Sequence, residues 1–404
     1  MLDGASMSES RPPARLRLQL FPRAETAVRK GHPWVFGDSI KSQNREGEAG
    51  EMAVMYDRKD RFMALGFYDP DSPICVRIVH CGKPATIDRT WWLARAQGAK
   101  GRRESVFSAT TNGARCINGE SDGFPGLVAD RYAGTLVVKI YTAGWLRIWD
   151  EVESVLREVF EPEFLVLRMS RNLLEASGET EGFRGAAGTQ VVVFEENGIR
   201  FESAVLHGQK TGFFLDQRDN RARVEELAKD REVLNVFSFS GGFSLYAARG
   251  GAKSVTDLDI SAHALESAVR NFQLNAGDPR IAKVPHECVQ ADAFKWMDET
   301  HRKFDLIIVD PPSLAKRARD QDGAMAAYRH LNARAISMLR PGGMLVAASC
   351  SAHVPVADFL SMVREQAERS GRKWREIWMS GHADDHQATF PEAEYLKALC
   401  LSFD

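Results

Sequence analysis

The sequence lacks the features of a membrane protein, a zinc protein or a disulfide-bonded secreted protein. It has no run of eighteen apolar residues, so no transmembrane helix is predicted. Its six cysteines form no CxxC pair and show no zinc-ligand spacing with histidine, so we expect free thiols in a cytoplasmic protein. Residues 1–14 are polar, include Pro12 and Pro13 and lack an apolar segment. They are therefore predicted to be a flexible tail rather than a signal peptide.

An excess of charge of one sign is lacking as well. The formal net charge is −2, so a nucleic-acid partner would have to be held by a local patch. Residues 15–45 contain seven basic and two acidic residues, beside aromatic side chains. This composition suits phosphate contact combined with base stacking, although a solvated basic face around a half-buried tryptophan is the alternative. The candidate RNA contacts in this stretch are Arg29, Lys30, His32 and Trp34.

The 404-residue length favours several domains. Residues 15–90 contain short strand patterns broken by turn-forming segments, which predicts a small all-β barrel or sandwich. Residues 91–204 mix strand and helix patterns and include a hairpin signal at Asn197 and Gly198, which predicts an α+β module. Residues 205–404 alternate strand and helix patterns, as in a doubly wound α/β domain.

Seven strands are predicted in the α/β domain. The last two follow each other with no helix between them, so one of them is expected to run antiparallel in a hairpin at the sheet edge. The predicted strands span residues 233–238, 254–259, 287–291, 304–310, 343–350, 375–379 and 395–403.

The ends of these strands predict a cofactor site. The loop after the first strand lacks both G-x-G-x-x-G and G-K-[ST], but its Gly241–Gly242 turn allows a ligand to approach the backbone closely. Asp259 ends the second strand and is suited to accept both hydrogen bonds of a ribose diol. Asp292 follows the third strand and is placed for the polar edge of an adenine. A nucleoside cofactor without a phosphate, such as S-adenosylmethionine, fits this set.

Two neighbouring strand ends carry an acid and a thiol, side chains that are suited to catalysis. The strand FDLIIVD stops at Asp310 because two prolines follow it, and GMLVAAS ends on Cys350. Ligands of open α/β sheets bind at this edge. A structural N-cap for the acid and a small buried thiol for the cysteine are the alternatives.

Residues 205–404 resemble the class I S-adenosylmethionine-dependent methyltransferases, and the whole chain resembles the bacterial 23S ribosomal RNA 5-methylcytosine methyltransferases. The resemblance implies a Rossmann-like seven-stranded methyltransferase sheet, an N-terminal PUA-like small β-barrel that binds RNA, and a central α+β module. It also suggests a homodimer. The motifs that carry it are GHPWVFGDSI, GFPGLVADRY, KTGFFLDQRDNR, LNVFSFSGGFSLYAARGGA, DIS, QADAF, DPPSLAK and SCSAH.

The resemblance also implies specific cofactor contacts. Arg218 is expected to pair with the cofactor carboxylate, although a salt bridge at the start of a helix is the alternative. Asn235 stands where many methyltransferases carry an acid, so the usual contact to the cofactor amino group is in doubt. The implied cofactor-site residues are Gln217, Arg218, Phe237, Ser238, Gly241, Asp259, Asp292, Ala293 and Asp310.

The chemistry of cytosine methylation explains why a thiol and an acid are needed. A thiolate that adds to carbon 6 makes carbon 5 nucleophilic, and an acid such as Asp310 holds a proton on ring nitrogen 3. A free thiol of pKa about 8.5 is mostly protonated at neutral pH, so Cys350 needs a lowered pKa or activation during attack. Ser313, not a second cysteine, follows DPP, so product release requires another group.

The predicted function is therefore methylation of carbon 5 of a cytosine in RNA. The alternatives are methylation of a purine nitrogen, which needs no thiol, and a non-catalytic RNA-binding or ribosome-assembly factor. Further candidate RNA contacts are Lys316, Arg317 and Arg319, directly after the DPP turn. His382 and His386 are expected to be surface residues in a loop, and no metal site is predicted.

Overall fold

The computed structural model describes residues 15–315 and 317–404, which form four β-sheets with helices packed around them. The predicted 1–14 tail and Lys316 lie outside the described residues. Within the described ranges, no helix is both long and apolar enough to cross a bilayer.

The N-terminal sheet has six strands and one helix, α1 (Pro22–Arg29). The strands are β1 (Leu16–Leu20), β2 (Trp34–Val35), β3 (Ile40–Gln43), β4 (Met52–Tyr56), β5 (Phe62–Tyr68) and β6 (Val76–Cys81). They lie in the order β2-β6-β5-β4-β1-β3, and β1 runs parallel to β4 while the other pairs are antiparallel. The leucines of β1 alternate inward with outward-facing polar residues, as expected of a half-buried strand.

The central sheet has five strands: β7 (Gly113–Asn118), β8 (Leu127–Tyr132), β9 (Thr135–Ile140), β10 (Phe164–Met169) and β11 (Gly182–Arg184). They lie in the order β11-β10-β9-β8-β7. The accompanying helices are α2 (Arg89–Gly101), α3 (Trp149–Phe160) and α4 (Arg171–Ser177). The side chain of Asp88 caps α2 by accepting a hydrogen bond from Trp91 N. The amphipathic α3 buries one face in the core of this sheet.

The predicted hairpin at Asn197 and Gly198 is confirmed by β12 (Val191–Glu196) and β13 (Ile199–Ala204). Both turn residues have positive φ, 50° and 79°, as the tight turn between twisted strands requires. The hairpin contributes Phe194 and Phe201 to a core that it shares with the C-terminal sheet.

The C-terminal sheet has seven strands: β14 (Glu232–Val236), β15 (Ser254–Asp259), β16 (His286–Gln290), β17 (Phe304–Val309), β18 (Leu339–Ser349), β19 (Trp374–Ser380) and β20 (Lys397–Phe403). They lie in the order β16-β15-β14-β17-β18-β20-β19. The helices are α5 (Arg218–Leu227), α6 (Gly242–Arg249), α7 (Ala262–Leu274), α8 (Pro279–Ala282), α9 (Ala293–Glu299), α10 (Gln321–Met338) and α11 (Val356–Arg369).

This arrangement confirms the predicted Rossmann-like sheet. Strands β14 to β18 are parallel, whereas β20 runs antiparallel to both β18 and β19, which is the predicted edge hairpin. The strand order reverses between β14 and β17, where ligands of open α/β sheets bind. Only β15 has the predicted bounds; the other boundaries differ by at most two residues, apart from the start of β18, which differs by four. Strand β14 ends at Val236 because Phe237 has φ 60°, and β18 begins at Leu339, which pairs with Phe304 ahead of an irregularity in the ladder.

Candidate active site

The loop between β14 and α6 has an unusual backbone. Phe237 and Phe239 have φ of 60° and 49°, and Gly241 has φ 74°. Left-handed conformations cost a non-glycine residue about 1–3 kcal/mol, so the surrounding structure must hold this loop in place. Part of that support is a hydrogen bond from Phe239 N to Asp259 Oδ2 at 3.0 Å. A Cβ atom at position 241 would lie 3.0 Å from Asp257 Oδ2, so glycine is also required for space.

The same loop presents unpaired polar atoms that suit a polar ligand. The buried hydroxyls of Ser238 and Ser240 have no hydrogen-bond partner among the described residues. Asp259 accepts one backbone hydrogen bond at each oxygen, from Phe239 and Ser261, so each oxygen keeps a free lone pair. A nucleoside cofactor with a ribose diol therefore fits this edge of the sheet.

Asp292 and Ala293 lie at the start of α9. Asp292 Oδ1 accepts a hydrogen bond from Lys295 N at 3.0 Å and caps the helix, so this residue has a structural role. Its second oxygen takes no part in that cap. Ala293 is buried in the core below it. The predicted adenine contact of this pair stays a prediction.

Asn235 is 1% exposed, and its amide is engaged with protein groups. Its amide donates to Asp257 Oδ1 at 3.0 Å and to Ser244 Oγ at 3.1 Å, and Asp257 Oδ2 pairs with His286 Nε2 at 2.8 Å. The Asp257 partnership is the largest favourable influence on His286, and it raises the pKa of that residue to about 9 against the effect of burial. Asn235 is thus a buried structural residue, consistent with the doubt about its contact to a cofactor.

Asp310 lies at the carboxyl end of β17, where Gln217 Nε2 donates to its Oδ2 at 2.8 Å. Burial and the nearby carboxylate of Asp216 raise the pKa of Asp310 to about 7, and the Gln217 hydrogen bond opposes this rise. At neutral pH the carboxyl is therefore able to hold a proton and to release it. Gln217 is buried and positions Asp310.

A dense set of hydroxyl contacts holds the turn that carries Cys350. Ser349 Oγ donates to Tyr328 OH at 2.8 Å, and Ser351 Oγ lies 3.0 Å from the same hydroxyl. Ser351 Oγ also accepts from Leu314 N at 3.1 Å, which ties this turn to the turn after β17. The thiol of Cys350 lies 3.8 Å from the carbonyl oxygen of Pro311. The structure therefore brings the thiol next to the Asp310–Pro311 turn.

The thiol of Cys350 is neutral in this environment. Burial and the charge of Asp310 raise its pKa to about 11, so the expectation of a lowered pKa is wrong and activation during attack remains. Lys397 opposes the rise. Its ammonium is 2% exposed and donates to the carbonyl oxygens of Ser351, Val354 and Tyr395 at 2.6, 2.7 and 3.2 Å. Burial lowers the pKa of Lys397 to about 8.

A second lysine stands beside the pocket on the motif KTGFF. Lys210 Nζ lies 2.8 Å from Asp216 Oδ2, which also accepts from Tyr395 OH at 2.7 Å. Burial works to lower the pKa of Lys210, but the carboxylate of Asp216 outweighs it and raises that pKa. The positive charge of Lys210 lowers the pKa of Cys350.

Arg218 has a different partner from the one predicted. Its guanidinium is 5% exposed and forms two hydrogen bonds with Asp385, at 3.0 and 3.1 Å. The carboxylate that Arg218 binds is thus part of the protein, and the prediction that this residue is available to a cofactor carboxylate is wrong. Asp385 also accepts from Arg115 N at 2.8 Å, so it joins the central sheet to α5.

The predicted RNA contacts of the N-terminal sheet are partly engaged with protein. Trp34 Nε1 donates to Glu120 at 2.8 Å, and its ring meets Phe390 edge-on with centroids 5.0 Å apart. His32 Nε2 lies 3.3 Å from Glu392. Arg29 pairs with the buried Asp57, whereas Lys30 is exposed. His32 and Trp34 therefore connect the N-terminal sheet to the segment after β19.

The remaining candidate residues fall into two groups. Arg317 and Arg319 are exposed after the turn at Asp310, and Arg319 lies 3.9 Å from Asp320. His386 is 3% exposed and contacts Asp385 at 3.0 Å, so the expectation of a surface histidine is wrong. Burial also lowers the pKa of His382 to about 4.

Sequence reasoning missed several residues that surround Cys350 and Asp310. Lys210 and Asp216 belong to a motif that was noticed but given no role. Lys397 stands within the apolar strand pattern YLKALCLSF, and this position indicates a buried charge. The missed residues are Lys210, Asp216, Tyr328, Ser351, Tyr395 and Lys397.

Comparisons with known families agree with this geometry. The family described as S-adenosylmethionine-dependent methyltransferase matches residues 180–373, and a PUA-like domain matches residues 18–80. These matches confirm the predicted methyltransferase fold, its cofactor S-adenosylmethionine and the PUA-like N-terminal domain.

The chain is similar over nearly its full length to known methyltransferases. A protein of Deinococcus radiodurans named ribosomal RNA large subunit methyltransferase is 52% identical over 96% of this chain and 98% of its own. Ribosomal RNA large subunit methyltransferase I of Vibrio vulnificus is 35% identical over 92% and 96%. A Streptococcus mutans structure described as a SAM-dependent methyltransferase shares the fold, with TM-score 0.81, 22% identity and coverage of 96% and 99%. The chain therefore belongs to the S-adenosylmethionine-dependent ribosomal RNA large subunit methyltransferase family.

Proposed function

We propose that this protein methylates carbon 5 of a cytosine in large-subunit ribosomal RNA through a transient adduct with Cys350. The observation that carries the proposal is the contact between two strand-end turns, in which Cys350 Sγ lies 3.8 Å from Pro311 O, directly after Asp310. A thiol and a protonatable carboxyl in one pocket are the two groups that this reaction requires. S-adenosylmethionine supplies an electrophilic methyl group.

Cys350 acts as the nucleophile. Its thiol is neutral at rest, so the proton must leave as sulfur bonds to carbon 6 of the cytosine. The cations of Lys210 and Lys397 lower the pKa of this thiol and favour the thiolate in that step. The Tyr328 hydroxyl bonds to both serines that flank Cys350, Ser349 and Ser351, and these bonds hold the sulfur in position for attack.

Asp310 acts as the acid. With a pKa of about 7, its carboxyl can protonate ring nitrogen 3 while sulfur adds to carbon 6. Carbon 5 then bonds to the methyl group. Loss of the carbon 5 proton to solvent and cleavage of the carbon 6–sulfur bond restore the aromatic ring and release Cys350 as a thiolate. The thiolate takes up a proton from solvent, and the nitrogen 3 proton returns to Asp310. Gln217 keeps the carboxyl oriented throughout.

Substitution of the thiol tests this proposal directly. We expect Cys350→Ala to bind S-adenosylhomocysteine normally but to lose at least about a hundredfold in kcat, because the nucleophile is gone. The substrate is large-subunit ribosomal RNA from cells that lack this protein, and the modified nucleoside is identified by mass spectrometry. The matched control is Cys81→Ala, which removes an exposed thiol of the N-terminal sheet.

A covalent trap gives a second readout. RNA that carries 5-fluorocytidine cannot lose a proton from carbon 5, so wild-type protein should form a stable complex and Cys350→Ala should not. Full activity in Cys350→Ala, or a methylated purine as the product, would show that the thiol has no role. In that case methylation of a purine nitrogen would be the favoured function.

A further inference from the structure

An exposed aromatic residue lies where the central sheet meets the catalytic domain. Tyr141 follows β9 directly, and its ring is 42% exposed. Nevertheless, burial around its hydroxyl raises the pKa of Tyr141, and the positive charges of Arg115 and Lys210 oppose that rise. Tyr141 therefore presents an exposed ring surface close to these positive charges.

Two cations flank this ring. Lys139 on β9 and Arg168 on β10 are direct partners in the parallel register, so their side chains leave the same face side by side. Lys139 Nζ lies 5.7 Å from the centre of the Tyr141 ring. Within the described residues neither cation forms a salt bridge, and Arg168 Nε is buried without a hydrogen-bond partner. Their described hydrogen bonds go to the carbonyl oxygens of Lys210 and Gly208, at 3.3 and 2.8 Å.

The ring and the cations border the reacting pocket. The backbone of Lys210 accepts the hydrogen bond from Lys139, while its side chain pairs with Asp216. Gln217, which follows Asp216 in the chain, donates a hydrogen bond to the carboxylate of Asp310. The 208–210 segment therefore links the two cations beside Tyr141 to the residues next to Asp310.

We propose that Tyr141, Lys139 and Arg168 form a nucleotide subsite, in which Tyr141 stacks on an unpaired base next to the target nucleotide. Lys139 contacts the phosphate of that nucleotide, and Arg168, which is 8% exposed, adds positive charge beside it. An exposed aromatic face between cations without carboxylate partners matches a base and its phosphate in chemistry and in charge. The proposal rests on the RNA substrate of the proposed function but not on which atom of the RNA is methylated.

Binding of a single-stranded cytidine dodecamer measures this subsite. The experiment uses the full-length Cys350→Ala protein with S-adenosylhomocysteine, so that turnover plays no part. We expect Tyr141→Leu to weaken RNA binding roughly tenfold, because a stacking platform is lost, and Tyr141→Phe to stay within about twofold of the parent. Fluorescence anisotropy of the labelled RNA gives the dissociation constants.

A second variant tests the phosphate contact. Lys139→Gln should weaken binding and should also lower the dependence of affinity on salt concentration by about one released cation. Trp378→Leu is the matched control, because Trp378 also lies under a cation, Arg223, at 5.4 Å but at the edge strand β19 of the C-terminal sheet.

Three results would overturn the subsite. They are unchanged RNA affinity in Tyr141→Leu, an equal loss in Tyr141→Phe, and an equal loss in Trp378→Leu. Unaltered affinity for S-adenosylhomocysteine establishes that each variant is folded. Because the readout is binding by a protein without the thiol, an unexpected methylated base would contradict the proposed function and leave this inference standing.

Discussion

At the scale of single residues, the charge beneath the thiol is the first feature to test. Lys397 is buried, and its ammonium is held by three carbonyl oxygens below the turn of Cys350. Lys397 is cationic below a pH of about 8, so we expect Lys397→Gln to slow alkylation of Cys350 severalfold at pH 7, because it removes a positive charge that favours the thiolate but keeps a hydrogen-bond donor. The rate of alkylation by iodoacetamide as a function of pH is the measurement.

The control for this variant is Lys303→Gln. Lys303 also donates to a backbone carbonyl, that of Ser337, but it is exposed and lies outside the pocket. Its removal should leave the alkylation profile unchanged. An identical profile in Lys397→Gln would mean that the buried lysine is purely structural.

Asp310 should set the pH dependence of turnover. Its raised pKa of about 7 means that the acid form is present below this pH and is lost as the pH rises through it, so kcat should fall on the alkaline side. The hydrogen bond from Gln217 lowers that pKa, and Gln217→Leu should therefore move the falling limb to higher pH. Gln290→Leu, at an exposed glutamine, is the matched control. A limb that stays in place would contradict the role of Asp310 as the acid.

The sequence predicted the meeting of Asp310 and Cys350 because the carboxyl ends of parallel strands share one edge. It did not predict their supports. Gln217 is 93 residues from Asp310, and Lys397 is 46 residues from Ser351, so no local pattern links these partners. Arg218 was assigned to a ligand because a sequence identifies a cation but does not reveal which carboxylate lies beside it.

At the scale of elements, the ion pair between α5 and the segment after β19 is the strongest candidate for a structural test. Arg218 and Asp385 are both buried, so removal of Asp385 leaves the guanidinium with only the half-exposed carboxylate of Asp219. We expect Asp385→Ala to lower the free energy of unfolding by about 3–5 kcal/mol, and the double variant Arg218→Met, Asp385→Leu to recover much of the loss. Urea denaturation measures both changes.

The same double variant also examines the reassignment of Arg218. If Arg218 serves Asp385 and not the cofactor, S-adenosylhomocysteine should bind to the double variant almost as tightly as to the wild type. A large loss of affinity in a protein that has regained its stability would restore the original prediction for this arginine.

The strands were predictable to within a few residues because their apolar runs are long and buried. The errors occur where the backbone departs from regular geometry. The left-handed φ of Phe237 ends β14, and a phenylalanine in the sequence does not indicate such a backbone conformation. Leu339 begins β18 early because pairing with Phe304 extends the ladder, and such pairing depends on tertiary contacts.

At the scale of the whole molecule, the segment after β19 connects all three parts of the chain. Asp385 binds the central sheet and α5, while Phe390 and Glu392 contact Trp34 and His32. We expect Phe390→Ala to increase hydrogen exchange around both Trp34 and this segment, because an edge-to-face contact is lost, with cofactor binding unchanged. Mass spectrometry of exchanged peptides is the measurement.

Phe183→Ala is the matched control, because Phe183 also makes an edge-on aromatic contact, with Phe164, but away from this junction. Its effect should be confined to its own strands. If exchange near Trp34 does not change in Phe390→Ala, the N-terminal sheet is held by other contacts, such as the bond from Trp34 to Glu120.

The place of β20 in the sheet has a consequence for protein synthesis. Strand β20 inserts between β18 and β19, and it carries Lys397, which lies beneath the turn of Cys350. A growing polypeptide completes β18 long before β20 leaves the ribosome. Nascent chains therefore hold their cofactor loop and their thiol without the finished pocket, and we expect enzymatic competence to arise only after translation has passed the last strand.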